Sequence, residues 1–175
     1  HYCEEEHENL TRLSQKIAAV FAEGGQLLIA AGGALQPVGQ IIASQFAYRL
    51  SFDRPALPAV CLGSDPVLSS RMVGDGKADN QLVRHYRAVN SGKHLLLMFS
   101  DGSASEALQQ VCDEAVDNEQ DLALISSVGM KDPLMGADVG LCIDLGTPVI
   151  PRIIELIQFS GHMLCELVEN ELFGA

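Results

Sequence analysis

Glycine and small hydroxyl side chains at the start of a helix can present backbone and side-chain donors to an anion. Two stretches of this 175-residue chain have that composition: Ala30-Ala31-Gly32-Gly33-Ala34 and Ser100-Asp101-Gly102-Ser103-Ala104-Ser105. Each directly follows a short apolar run. Ser103 and Glu106 have capping-box spacing, which predicts that a helix opens there. As bare motifs such loops are more often capped turns than ligand sites. His162 and Glu166 stand four residues apart, with Glu155 on a similar helical face, and His162 is expected to be a structural, hydrogen-bonded histidine. His85 with Arg84 and Arg87 reads as a solvated basic face. The five cysteines are odd in number, scattered and free of any CxxC pair, so neither a zinc ribbon nor a redox dithiol is indicated. Cys61 and Cys142 lie in apolar runs and read as small core residues.

The elements that must position these loops follow from the hydrophobic pattern. Five short, continuously apolar runs, at 26–31, 59–63, 94–100, 122–127 and 139–146, each close on Gly, Ser or Asp or next to one. Their length and continuity predict strands buried on both faces, as in a parallel sheet. Longer helical patterns separate most of them, giving the β-α-β-α alternation of a wound parallel sheet. Arg54-Pro55-Ala56-Leu57-Pro58 is a stiff approach that keeps the chain extended before the second strand. An N-terminal helix is predicted over about 4–23, an α/β core over 26–146, and a final helix over about 152–172. The acidic Glu4-Glu5-Glu6 run suits the positive end of the first helix. The first half of the final helix has almost no polar face, so it must be buried on more than one side. That predicts subunit contacts through the terminal helices. No repeat or linker interrupts the chain, which is expected to form one domain over 1–175.

Composition narrows the function classes. Hydrophobic residues at 47% against 19% charged place the chain among globular proteins. A formal net charge of -12 opposes direct binding to nucleic acid or an anionic membrane. No apolar run reaches the roughly 18 residues that span a bilayer, and the start shows no signal-peptide pattern. A cytoplasmic protein is expected.

Several stretches together resemble the sugar-isomerase (SIS) family, in its phosphoheptose isomerase branch. They are Arg54-Pro55-Ala56-Leu57-Pro58-Ala59-Val60, Ser64-Asp65 followed by Gly74-Asp75, Gly39-Gln40-Ile41-Ile42-Ala43-Ser44-Gln45-Phe46, and Gly161-His162-Met163-Leu164-Cys165-Glu166-Leu167-Val168-Glu169. The resemblance runs from the N-terminal helix to Leu172. It implies a flavodoxin-like three-layer α/β sandwich with a five-stranded parallel sheet, and a homotetramer built on the terminal helices, in a bacterial cytosol.

It also implies an expected site, and the departures from it matter. Family isomerases act on sedoheptulose 7-phosphate by moving a proton between adjacent carbons, which needs an acid and a base. The family's catalytic Glu falls at Gln45 and its final-helix His at Ile157, so no catalytic residue is expected at either place. The positions that accompany them in metal-binding members fall at Ile41 and Ile154, so no metal and no cofactor are expected. Asp101 would oppose a phosphate dianion. The ligand-binding candidates are Gly32, Gly33, Ala34, Asp65, Asp75, Ser100, Asp101, Gly102, Ser103 and Ser105. Asp65 and Asp75 would either bond sugar hydroxyls or cap turns. Family isomerases often carry a His at the His162 position outside the catalytic set. The reading that follows is a non-catalytic SIS protein that binds a sugar-phosphate-like molecule or serves as a scaffold for a protein partner, as the bacterial initiator-associating protein does. The alternatives are a sugar-phosphate isomerase with a divergent site and a structural subunit paired with an active paralogue.

Overall fold

A computed structural model describes residues 2–174, with side chains from Glu6 onward. The strands are β1 (Gln26–Ala31), β2 (Ala59–Cys61), β3 (His94–Ser100), β4 (Asp121–Ser126) and β5 (Leu141–Asp144). The helices are α1 (Tyr2–Ala22), α2 (Gln36–Ala47), α3 (Pro66–Gly74), α4 (Gln81–Val89), α5 (Glu106–Asp117) and α6 (Ile150–Phe173). The side chains of Glu4 and Glu5, and of Cys3, lie outside the described residues.

All five strands are parallel, in the order β2-β1-β3-β4-β5. This is the flavodoxin-like order, in which the chain reverses direction across the sheet between β1 and β3. The central strands have no water-facing side, which is why their sequences are continuous apolar runs. Leu27, Ile29 and Ala31 of β1, with Leu95, Leu97 and Phe99 of β3, pack under α1, α2 and α6. The alternate residues Leu28, Ala30, Leu96 and Met98 pack under α4 and α5. The result is three layers with the sheet between two apolar cores.

α6 lies along α1 and crosses α2. Ile153, Ile157, Leu164, Cys165 and Val168 are buried in that packing. Gly161 sits at the crossing, where a Cβ would collide with the Ile42 side chain. Phe159 remains 41% exposed and Ile41 of α2 47% exposed. So α6 buries one face within the chain, and part of its apolar surface stays open.

The loop between α2 and β2 is fixed by an ion pair. Arg54 Nε donates to Glu169 Oε1 at 2.8 Å, with both side chains 1% exposed. Arg54 also donates to the carbonyls of Phe46 and Gln45, at 2.7 and 2.9 Å. Glu169 accepts from the Leu50 amide at 3.1 Å and the Ser51 hydroxyl at 3.2 Å.

Candidate functional site

The reversal between β1 and β3 leaves a crevice beyond their carboxyl ends, where ligands sit in sheets of this order. Ala31 pairs with Phe99 at the end of the two strands, so the loops that follow begin side by side. After β1 the chain makes a 3-10 turn over Gly33–Leu35 and enters α2. Gly33 has φ +51°, a left-handed conformation that glycine adopts without a Cβ clash. Pro37 in the first turn of α2 removes one of that helix's free amide donors. A Cβ at Gly32 would point at Ser105 Oγ, 4.0 Å away, so the two loops face each other across open space.

In the second loop the structure corrects the predicted cap. The N-cap of α5 is Ser105, whose hydroxyl accepts from the Leu108 amide at 3.3 Å. The Ser103 hydroxyl instead donates to Asp101 Oδ1, and the Ser103 amide donates to the same oxygen at 3.0 Å. These two bonds, the hydroxyl first, hold the Asp101 carboxyl below the usual carboxylate range, so it is ionised at neutral pH. Ser100 is buried, and its hydroxyl accepts from the Gly102 amide at 3.0 Å. Gly102 has φ +84°, and a Cβ there would collide with Ser127 and Val128.

The predicted residues divide three ways. Gly32, Gly33, Asp101, Ser103 and Ser105 line one cavity of about 320 Å³, together with Asp79 and Glu106. Ser100, Gly102 and Ala34 shape the two loops and are outside its lining. Asp65 and Asp75 line a separate groove of about 680 Å³ between α3 and α4. Asp65 is the N-cap of α3, its Oδ1 accepting from the Val67 and Leu68 amides at 2.9 Å each, and Asp75 is the C-cap residue. Asp79 was not foreseen, because a lone acid in Lys77-Ala78-Asp79-Asn80 carries no motif. The cradle's lining therefore holds three carboxylates and no basic side chain.

Further along α2 and α6 lies a second polar cluster. The Gln45 side chain reaches His162 Nε2 at 2.9 Å, and Gln158 reaches the same nitrogen at 2.7 Å. With both amides donating, Nε2 carries the lone pair and the proton resides on Nδ1, an assignment drawn from this network. Gln45 Oε1 is buried without a partner. Gln158 could have been found from sequence by its four-residue spacing to His162. Ile157 is fully buried, and Ile41 faces outward. Among the described residues no group of three or more His, Cys, Asp or Glu is placed to hold a metal ion.

No protein-family model matches the chain. A phosphoheptose isomerase from Burkholderia pseudomallei (strain 1710b) is 29% identical over 95% of this chain and 86% of its own length. The structure of a phosphoheptose isomerase from Francisella tularensis superimposes with a TM-score of 0.83, covering 93% of this chain and 86% of that one at 19% identity. The chain is therefore similar in sequence to phosphoheptose isomerases and shares the fold of their solved structures. A more distant fold neighbour is the Vibrio vulnificus NanR protein complexed with ManNAc-6P, at TM-score 0.57 and 12% identity, with 96% of this chain and 55% of that one covered. No described helix is long and apolar enough to cross a membrane.

Proposed function

We propose that this phosphoheptose isomerase-like SIS protein acts on a phosphorylated sugar, interconverting aldose and ketose forms with the His162 imidazole as proton carrier. The observation that carries the reading is the contact between His162 and Gln45, the residue at the position of the family's Glu. Imidazole is the side chain that exchanges protons most readily near neutral pH, and an amide cannot. Its Nε2 lone pair is free of a proton, and the two amides that hold it can turn to bond substrate hydroxyls. The partnerless Gln45 Oε1 is an acceptor that a sugar hydroxyl would satisfy. The reaction removes a proton from the carbon beside the carbonyl, forms an enediolate, and returns the proton to the neighbouring carbon while the hydroxyl proton passes from one oxygen to the other.

The test is incubation with sedoheptulose 7-phosphate in D2O, followed by proton NMR. Deuterium should enter at the carbon beside the carbonyl, and His162→Ala should abolish the exchange while leaving the thermal midpoint of the free protein within a few degrees. Exchange no faster than in a protein-free blank would overturn the isomerase reading. The second reading, a non-catalytic ligand binder or scaffold, is favoured by Gln45 and Ile157 themselves, since neither can move a proton. It predicts saturable thermal stabilisation by the sugar phosphate, or capture of a protein partner, without exchange. In both readings a cytosolic homotetramer assembles through α1 and α6, supported by the exposed Phe159 of α6.

A further inference from the structure

The groove between α3 and α4 has a charge that the rest of the chain does not lead one to expect. Four of the eleven basic residues, Arg71, Lys77, Arg84 and Arg87, line it. Only Arg87 is paired there, its Nε and Nη2 donating to Glu114 at 3.0 and 2.6 Å. Arg71, Lys77 and Arg84 form no ion pair among the described residues. The two opposing acids are Asp65, whose Oδ1 is held by the α3 amides, and Asp75. The neighbouring cradle is the reverse, with Asp79, Asp101 and Glu106 and no cation. The 3-10 turn Ala78–Asn80 is the wall between them, since Asn80 faces the groove and Asp79 the cradle.

We propose that this groove, rather than the glycine- and serine-rich cradle, is the protein's phosphoryl-binding site, and that it takes the phosphate of an organic phosphate ester. The identity of the ester as a sugar phosphate rests on the functional reading above; the anion site does not. Two guanidinium groups and an ammonium line this groove without an ion-pair partner among the described residues, and a guanidinium fork matches pairs of phosphate oxygens. Val67, Leu68 and Met72 give the same groove an apolar wall for the ligand's carbon frame. A volume of about 680 Å³ is in the range of small-molecule sites. In a chain of net charge -12, a local cluster of unpaired cations is also where a polyanion meets least repulsion. The three unpaired cations are solvent-exposed, so binding must weaken with ionic strength.

Calorimetric titration with inorganic pyrophosphate at low salt tests the site without involving any sugar. Saturable binding is expected, weakening on addition of 0.3 M salt (about twice physiological ionic strength). In the double variant Arg71→Gln/Arg84→Gln it should weaken roughly tenfold or more. Asp101→Asn, in the cradle, should leave it unchanged or slightly tighter. Both arginines are exposed, and circular dichroism checks that the double variant is folded. Absence of saturable pyrophosphate binding to the wild type overturns the proposal, as does binding that the double variant preserves. The functional reading fails separately. Pyrophosphate binding with no deuterium exchange leaves the groove and removes the isomerase. Exchange that persists at unchanged sugar-phosphate affinity in the double variant removes the groove and leaves the isomerase.

Discussion

At the scale of single residues, the most deeply buried ion pair among the described residues lies outside the cradle and the His162 cluster. The side chains of Arg54 and Glu169 are each 1% exposed, and together they satisfy carbonyls of α2, an amide and a hydroxyl of the following loop, and each other. Removing one partner of such a pair leaves a buried charge uncompensated, at a cost of about 3–5 kcal/mol. Glu169→Gln should therefore lower the thermal midpoint by roughly 10 °C, taking 2–4 °C per kcal/mol for a chain of this size. Replacing both residues by Met should cost less than the sum of the single changes, which chemical denaturation of the four proteins would measure. The thiols behave differently from these charged groups. Burial pushes Cys61 and Cys142 up to about 12 and Cys112 and Cys165 up to about 11, so all four are thiols at neutral pH. Native protein should leave Cys61, Cys112 and Cys165, which are buried, unlabelled by a thiol reagent for as long as it stays folded, and denaturant should release them. Rapid native labelling at any of the three, located by peptide mass, would show that the packing around it opens.

At the scale of elements, two local features set the site and each has a measurable consequence. Ser105 caps α5 through the Leu108 amide, so Ser105→Ala should cost about 1 kcal/mol, while Ser103→Ala should leave helix stability nearly unchanged. A larger loss at Ser103 would restore the capping box that the sequence alone predicts. Gly161 allows α6 to lie against α2, and Gly161→Ala should cost about 1–3 kcal/mol by overpacking Ile42. It should also separate His162 from Gln45 and so suppress any deuterium exchange. These features show which parts of the structure were legible beforehand. β1 and β3 match their apolar runs at both ends, because strands buried on both faces require continuous apolarity. The runs at 59–63 and 139–146 overstate β2 and β5, which are the sheet edges and end sooner because each pairs on one side only. The stretches that resemble the family most strongly contain Arg54, Gly161 and Glu169, whose observed work is to fix α2 and α6 together. They identified the scaffold rather than the chemistry. Gly32 and Ser105 were readable because their types and their places after strands are local signals. The α3–α4 groove was not, since Arg71 and Arg84 come from different helices and each reads alone as a solvated face.

At the scale of the whole molecule, acid sensitivity follows from two histidines that the fold keeps neutral. His94 is 1% exposed at the start of β3, and burial pushes its pKa below the ordinary value, against a smaller opposite effect of the Gly92 carbonyl. Its Nδ1 proton is donated to that carbonyl at 2.7 Å, and its Nε2 accepts from the Tyr86 hydroxyl at 2.9 Å. His85 is lowered too, first by burial, with Asp65 opposing, and its Nδ1 accepts from the Gly63 amide at 2.9 Å. In the unfolded chain both titrate near the ordinary value of about 6.5. Above that pH both states hold neutral imidazoles, and stability is independent of these groups. Below it the unfolded state takes up protons that the folded state refuses, so stability falls as pH falls, until the folded-state values are reached. Each histidine contributes a slope of at most about 1.4 kcal/mol per pH unit. Asp101 and Glu114 are held below the usual carboxylate range, so their stabilisation is lost only at lower pH. The window just below pH 6.5 therefore belongs to the histidines. Urea denaturation at pH 7.5, 6.5 and 5.5 should show a plateau between the first two and a drop at the third. His94→Gln, though less stable at every pH, should show a smaller drop, because it removes the more deeply buried titrating group. An undiminished drop in that variant would assign the acid sensitivity to His85 and the Gly63 turn that it holds.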